Sequence, residues 1–141
     1  MTTIRSSLFV LATLAGTDAL AQNGVMPPAD ASVHVTCSTH ADEIFAAIDA
    51  ADYAKATASF DATLRARYTA EKLEHDVESL PAKYGKTLGR GRPHLGDVNG
   101  HTVIMIPVIF EHGTLTAEVH CGSDGAVSDF RLLPTQTMTS P

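Results

Sequence analysis

"HTVIMIPVIFEHGTLTAEVHC", His101 to Cys121, carries the pattern that decides the fold. Its second half alternates: Leu115, Ala117, Val119 and Cys121 fall on one face, and Thr116, Glu118 and His120 on the other. Side chains of a strand point alternately to opposite faces, so this segment reads as a half-buried strand. The first half is apolar on both faces, as a central strand would be. Pro107 opposes that reading because it has no N–H for a ladder, so a bulge or an unpaired position is expected beside it. Gly113 turns the chain between the two strands.

Working outward, Asn99-Gly100 is a strong tight-hairpin signal, and Asp124-Gly125 is a second. "KTLGRGRPHLGDV" (86–98) is broken by three glycines and a proline, which predicts a bent or bulged edge strand. "AVSDFRLL" (126–133) is the last strand, and Pro134 opens a polar tail. Four strands in meander order are therefore expected.

Before Gly85 the period changes from two to 3.6. Thr39, with Asp42 three residues on, resembles a capping box ahead of Ile44, Phe45 and Ile48. Asp52 is the expected cap of a second helix with Tyr53, Phe60 and Leu64 inward. Thr69 caps a third, with Leu73, Val77, Leu80 and Tyr84 as its stripe; Pro81 should bend or end it and Gly85 terminate it. Helices followed by an antiparallel meander make an α+β domain with about three helices against one sheet face.

The first residues read as an export signal. Arg5 is followed by the short apolar run "LFVLATLAG" and by small Ala19 and Ala21, which is the order of charge, apolar core and cleavage site. The run is about half the length a membrane span needs. The expected organisation is a signal peptide over 1–21, an extended leader over 22–36 containing Pro27-Pro28, one α+β domain over 37–134, and a flexible tail over 135–141. Removing 1–21 deletes Arg5 and Asp18, so the formal net charge stays at −6. An acidic domain repels phosphate backbones, which argues against a nucleic-acid partner.

Export bears on "HVTCSTH" (34–40) and "EVHCGSD" (118–124). Cys37 and Cys121 are the chain's two cysteines, and disulfides persist in oxidising compartments. One bridge is therefore favoured over free thiols. It is also favoured over a metal site built from these cysteines with His34, His40 and His120, whose spacing matches no familiar zinc pattern. Cysteine–histidine nucleophilic chemistry needs a reduced thiol and is disfavoured for the same reason.

"AIDAADYAKATASFDATLRA", "TAEKLEHDVESLPAKYGK", "VIMIPVIFEHGTL" and "GSDGAVSDFRLLP" resemble, in order and spacing, bacterial domain-of-unknown-function family 3887. The resemblance covers Asp42 to Pro134. It implies an exported domain with the curved-sheet cone fold of nuclear-transport-factor-like proteins. No catalytic residues come with it, and no Gly-x-Ser-x-Gly nucleophile elbow occurs here.

A cone of this kind can hold a pocket between sheet and helices, and Tyr53, Tyr84 and Asp129 are the residues expected to face it. The leading expectation is a non-enzymatic binding or accessory module for a small ligand or an envelope protein, without cofactor or metal. The alternative is a small pocket enzyme using those Asp and Tyr residues as acid and base. Lys83, Lys86, Arg90 and Arg92 form a basic stretch, read as protection of a strand edge rather than as a site for an acidic partner. Three helices cover one sheet face, which leaves "VIMIPVIF" a second apolar face through which a homodimer could form.

Overall fold

A computed structural model describes residues 28–135 of the chain. The expected signal peptide, the first part of the leader and the tail from residue 136 lie outside the described residues. Four helices come first: α1 (Pro28–Asp49), α2 (Tyr53–Ala56), α3 (Ala62–Arg67) and α4 (Ala70–Tyr84). Five strands follow: β1 (Thr87–Arg90), β2 (His94–Val98), β3 (His101–Phe110), β4 (Gly113–Cys121) and β5 (Val127–Pro134). All strand pairings are antiparallel, and the sheet is open. The α+β reading holds.

The helical half departs from expectation at its start. Residues 28–36 are not extended leader, because α1 begins at Pro28 and runs 22 residues. Proline is at home in the first helical position, where an N–H would be unpaired anyway. Thr39 is consequently inside the helix and caps nothing; its hydroxyl donates to the Val35 carbonyl one turn back, 3.0 Å away. Cys37, Ala41, Ile44 and Phe45 form the buried stripe of α1, so the folded body starts before Cys37.

Asp52 does cap a helix, accepting from the Lys55 N–H at 3.0 Å, but that helix lasts one turn. The chain breaks at Phe60, which bridges Val127, and restarts at Asp61, whose carboxylate accepts from the Leu64 N–H. Arg65 donates to the carbonyls of Ala58 and Phe60, satisfying the backbone that the break leaves open. Thr69 caps α4 as expected. Pro81 neither ends nor interrupts it: the helix reaches Tyr84, and Gly85 closes it at φ 78°. Proline loses only one internal bond there, within a turn of the end.

The expected bent edge strand is present as β1 and β2, both paired to β3 with a one-residue change of register between them. This split is why five strands stand where four were expected. The gap lies opposite Pro107, whose carbonyl accepts from the Gly91 N–H at 2.8 Å. The missing N–H of Pro107 thus coincides with the unpaired stretch the sequence demanded. Asn99 and Gly100 both have positive φ (53° and 77°), the signature of the tight turn their identities favour.

The core lies between the helices and the sheet face bearing Ile104, Ile106, Leu115, Ala117 and Val119. Phe130 of β5 gathers an aromatic group there, its ring centroid 6.1 Å from those of Phe60 and Tyr68 and 6.5 Å from that of Phe45. Cys37 and Cys121 form a disulfide that ties α1 to the end of β4.

Candidate functional site

Helix α4 seals against the core only in its first half. Leu73 is fully buried, whereas Val77, Leu80 and Tyr84 are half-buried. Beneath that second half lies a partly open cavity of about 310 Å³, bordered by residues of α1, α2, α4 and the strands β1, β3 and β5. Phe45, Ile48, Val77, Leu80, Val108 and Phe110 give it apolar walls. Tyr53, Glu78 and the pair Asp49–Arg90 supply its polar groups.

Arg90 grips Asp49 with both terminal nitrogens, one at 2.9 Å, and its guanidinium lies 4.8 Å from the Phe45 ring centroid. The hydrogen bond from Arg90, helped by its charge and opposed by partial burial, holds the Asp49 carboxyl below its ordinary range. Burial pushes the Tyr53 phenol upward, with Glu78 and Glu74 adding to the shift, so it stays protonated. Its hydroxyl makes no hydrogen bond among the described residues. Apolar walls with a few polar groups at one side are what small-molecule sites use: burial supplies affinity and the polar groups fix orientation.

A second hollow, a groove of about 470 Å³, flanks the other side of α4. Leu80 and Leu132 line both spaces and separate them. The groove runs between α4 and β5, from Tyr68 to Tyr84. The Tyr68 hydroxyl donates to Asp76 at 2.8 Å; burial first, and then this bond, raise its pKa well above the usual phenol value. Lys72 also holds Asp76, at 3.3 Å.

The three residues expected at one pocket are dispersed. Tyr53 lines the cavity, and Tyr84 lines the groove, its ring 5.7 Å from that of Phe110. Asp129 lines neither. It pairs across the ladder with His120, on the face turned away from the helices, where alternation from buried Val119 and Cys121 places it. There it accepts from Arg67 at 3.1 Å and Arg131 at 2.5 Å. Partial burial would raise its pKa, but these two guanidiniums outweigh that and lower it. A carboxylate held ionised between two cations is a poor proton acceptor, and it faces no tyrosine of the cavity. The acid–base arrangement is therefore not assembled.

Sequence reading missed Asp49, Arg90 and Glu78. The basic stretch containing Arg90 was legible only as a charge run, and the fold disperses it: Arg90 turns to Asp49, while Lys83 lies over the Tyr84 ring at 5.1 Å. Among the described residues no group of three or more His, Cys, Asp or Glu side chains could hold a metal ion, and no helix is long and apolar enough to cross a membrane. The sheet face away from the helices bears Val103, Met105, Pro107 and Ile109 of β3 opposite Thr114, Thr116, Glu118 and His120 of β4, with exposed Leu133 of β5 beside Thr116. No family model matches the chain, and no curated protein or solved structure matches it significantly.

Proposed function

We propose that this chain is an exported, non-enzymatic binding module that takes a small, largely apolar molecule into the cavity beneath α4. The observation that carries the reading is the cavity itself: a space of about 310 Å³ with aromatic and aliphatic walls and an unpartnered Tyr53 hydroxyl. That volume sits at the lower end of ligand sites. The buried disulfide supports export, as does the charge, apolar run and small-residue order of residues 1–21. The resemblance to family 3887, which is usually found exported and carries no established catalytic residues, points the same way. The order of helices before an antiparallel meander suits that family's cone fold.

Binding is tested with phenol, indole and cyclohexanol as probes, read by thermal shift and by two-dimensional NMR. Probes that enter the cavity raise the melting temperature and shift the amides of Ile48, Tyr53 and Val108. A Val77→Phe substitution, which fills the space from α4, abolishes both effects while leaving the fold intact. Equal binding by that variant, or no binding of any probe by the parent chain, overturns the proposal. Export is tested separately by expressing the full chain in a bacterium. A periplasmic product lacking Met1 to Ala21 is expected; an unprocessed cytosolic product would remove that half of the reading.

A further inference from the structure

We infer that the groove between α4 and β5 is a docking site for an extended acidic peptide, which adds to the sheet as a further strand on β5. The inference is independent of the cavity, and it rests on backbone groups rather than on side-chain shape.

Strand β5 is the edge of the sheet: β4 lies on one side, and the other carries only the bridge from Phe60 to its first residue, Val127. The direction of its backbone groups follows from the register. Thr135 donates its N–H to the Thr114 carbonyl at 3.1 Å, so the odd-numbered residues of this stretch face β4. The Ser128 carbonyl, of opposite parity, instead receives Arg67 from α3. Phe130, Leu132 and Pro134 therefore turn their backbone groups outward. The fold already occupies part of this edge: the Phe130 N–H is taken by its neighbour's Asp129 carboxylate at 3.1 Å, and Pro134 has no N–H. The Leu132 N–H and C=O remain. Neither has a hydrogen-bond partner among the described residues. A single residue that offers both donor and acceptor sideways is the minimum a pairing strand needs.

The groove is shaped for such a strand. Five consecutive residues, Phe130 to Pro134, line it, so it follows the strand edge and not one sheet face. Asp76 to Tyr84 of α4 form the opposite wall. Eight residue steps along a helix are about 12 Å, and four along a strand are about 13 Å, so the two walls match in length. About four residues of extended chain fit, with alternate side chains over Leu80, Leu115 and Leu132.

Charge chooses among peptides. The groove's carboxylate, Asp76, is already held by Tyr68 and Lys72. Lys83 has no carboxylate partner among the described residues, and the Tyr84 hydroxyl has no hydrogen bond there either. On a chain of formal charge −6 this wall presents an uncompensated cation, which fits a glutamate or a terminal carboxylate of the guest.

The test uses the chain with a fluorescein-labelled peptide of alternating valine and threonine, about five residues long, with a glutamate at each end. A second peptide is identical but N-methylated at alternate amides, so it cannot pair along one edge. Anisotropy should show the first binding and the second at least tenfold weaker. Lys83→Glu should weaken the first at least tenfold, and Val77→Phe should leave it unchanged. Amide exchange at Leu132 should be fast in the free chain and slow on adding the first peptide. Equal binding of the methylated peptide would mean that side chains alone hold the guest, and would overturn the inference. So would no binding of the first peptide. A Leu132 amide already protected in the free chain would overturn it too, because the edge would then be filled by the chain's own terminal residues.

Discussion

Cys37, in the middle of α1, and Cys121, the last residue of β4, are joined with their Cα atoms 5.9 Å apart, and both are 0% exposed. The bridge therefore links the first element of the fold to a central strand and sits inside the core between them. It spans a sequence separation of 84, a loop the chain-entropy account values at about 4–5 kcal/mol. Replacing both cysteines with alanine should lower stability to denaturant by about that amount, read from the urea midpoint at constant slope. Mild reductant should leave the folded protein unlabelled by iodoacetamide until urea opens it, because neither sulfur is reachable. Labelling of both thiols without any reductant would show the bridge to be absent.

A second close approach holds α1 at the same end of the sheet, beside the bridge. Gly125 has φ 82°, and a Cβ there would lie 2.9 Å from the Thr36 methyl. Gly100 has nearly the same φ with nothing within 4 Å. Gly125→Ala should therefore cost about 1–3 kcal/mol more than Gly100→Ala, the two sharing the backbone term and differing in the clash. Thr36→Ser should recover part of the difference in Gly125→Ala and do nothing for Gly100→Ala. Chemical denaturation of the five proteins decides it.

These two contacts show what the sequence could and could not disclose. Two cysteines behind an export-like leader, the Asn99-Gly100 turn and the alternation from Leu115 to Cys121 are local or binary signals, and the bridge, the turn and the strand each appear where they were read. Pro107 was legible even as a contradiction, and the gap between β1 and β2 resolves it. The start of α1 was not legible, because Pro27-Pro28 reads equally as a spacer and as a helix's first turn, and burial of Cys37 against the sheet decides between them. The break at Phe60 depends on a bridge to Val127, 67 residues away, which no local pattern encodes. The site suffered most. Tyr53 and Tyr84 do sit on inward helical stripes, but which cavity each reaches depends on how α4 lies over the sheet, and the face taken by Asp129 depends on a register shift between His120 and Cys121.

Asp129 provides a pH prediction. Its side chain is 15% exposed and its folded pKa lies below the ordinary carboxylate value of 3.8. A depressed folded pKa means the unfolded chain takes up the proton first. The stabilisation is therefore fully present above the ordinary value and is lost as pH falls through the folded one. Asp129→Asn should flatten the acid limb of the stability curve below about pH 4 and cost about 1–2 kcal/mol at neutral pH, since two guanidinium hydrogen bonds are weakened. Urea midpoints from pH 2.5 to 7 for parent and variant give the comparison; an unchanged acid limb would show that Asp129 is not the linked group.

The carboxylate at the cavity should behave differently. Asp49 and Arg90 are 55% and 30% exposed, so solvent screens their attraction. Arg90→Leu should leave the melting temperature nearly unchanged while letting the Asp49 carboxyl return to its ordinary range, followed by NMR titration of the side chain. Retention of a depressed value in the variant would mean that a group other than Arg90 sets it.

Helix α4 itself offers the sharpest contrast, because its two halves should fail differently. Leu73 is 0% exposed in tightly packed surroundings, and Leu73→Ala should cost about 2–5 kcal/mol, the transfer loss plus a new void. Leu80 is the same residue type on the same helix, but it already borders open space on two sides. Leu80→Ala creates less new surface and loses fewer contacts, so it should cost about 1–2 kcal/mol, below the range for tightly packed sites. It should also merge the cavity and the groove, so probes larger than indole should bind the variant and not the parent chain. If the two substitutions cost the same, the second half of α4 is packed as tightly as the first, and the hollow on which the binding proposal stands is not there in solution.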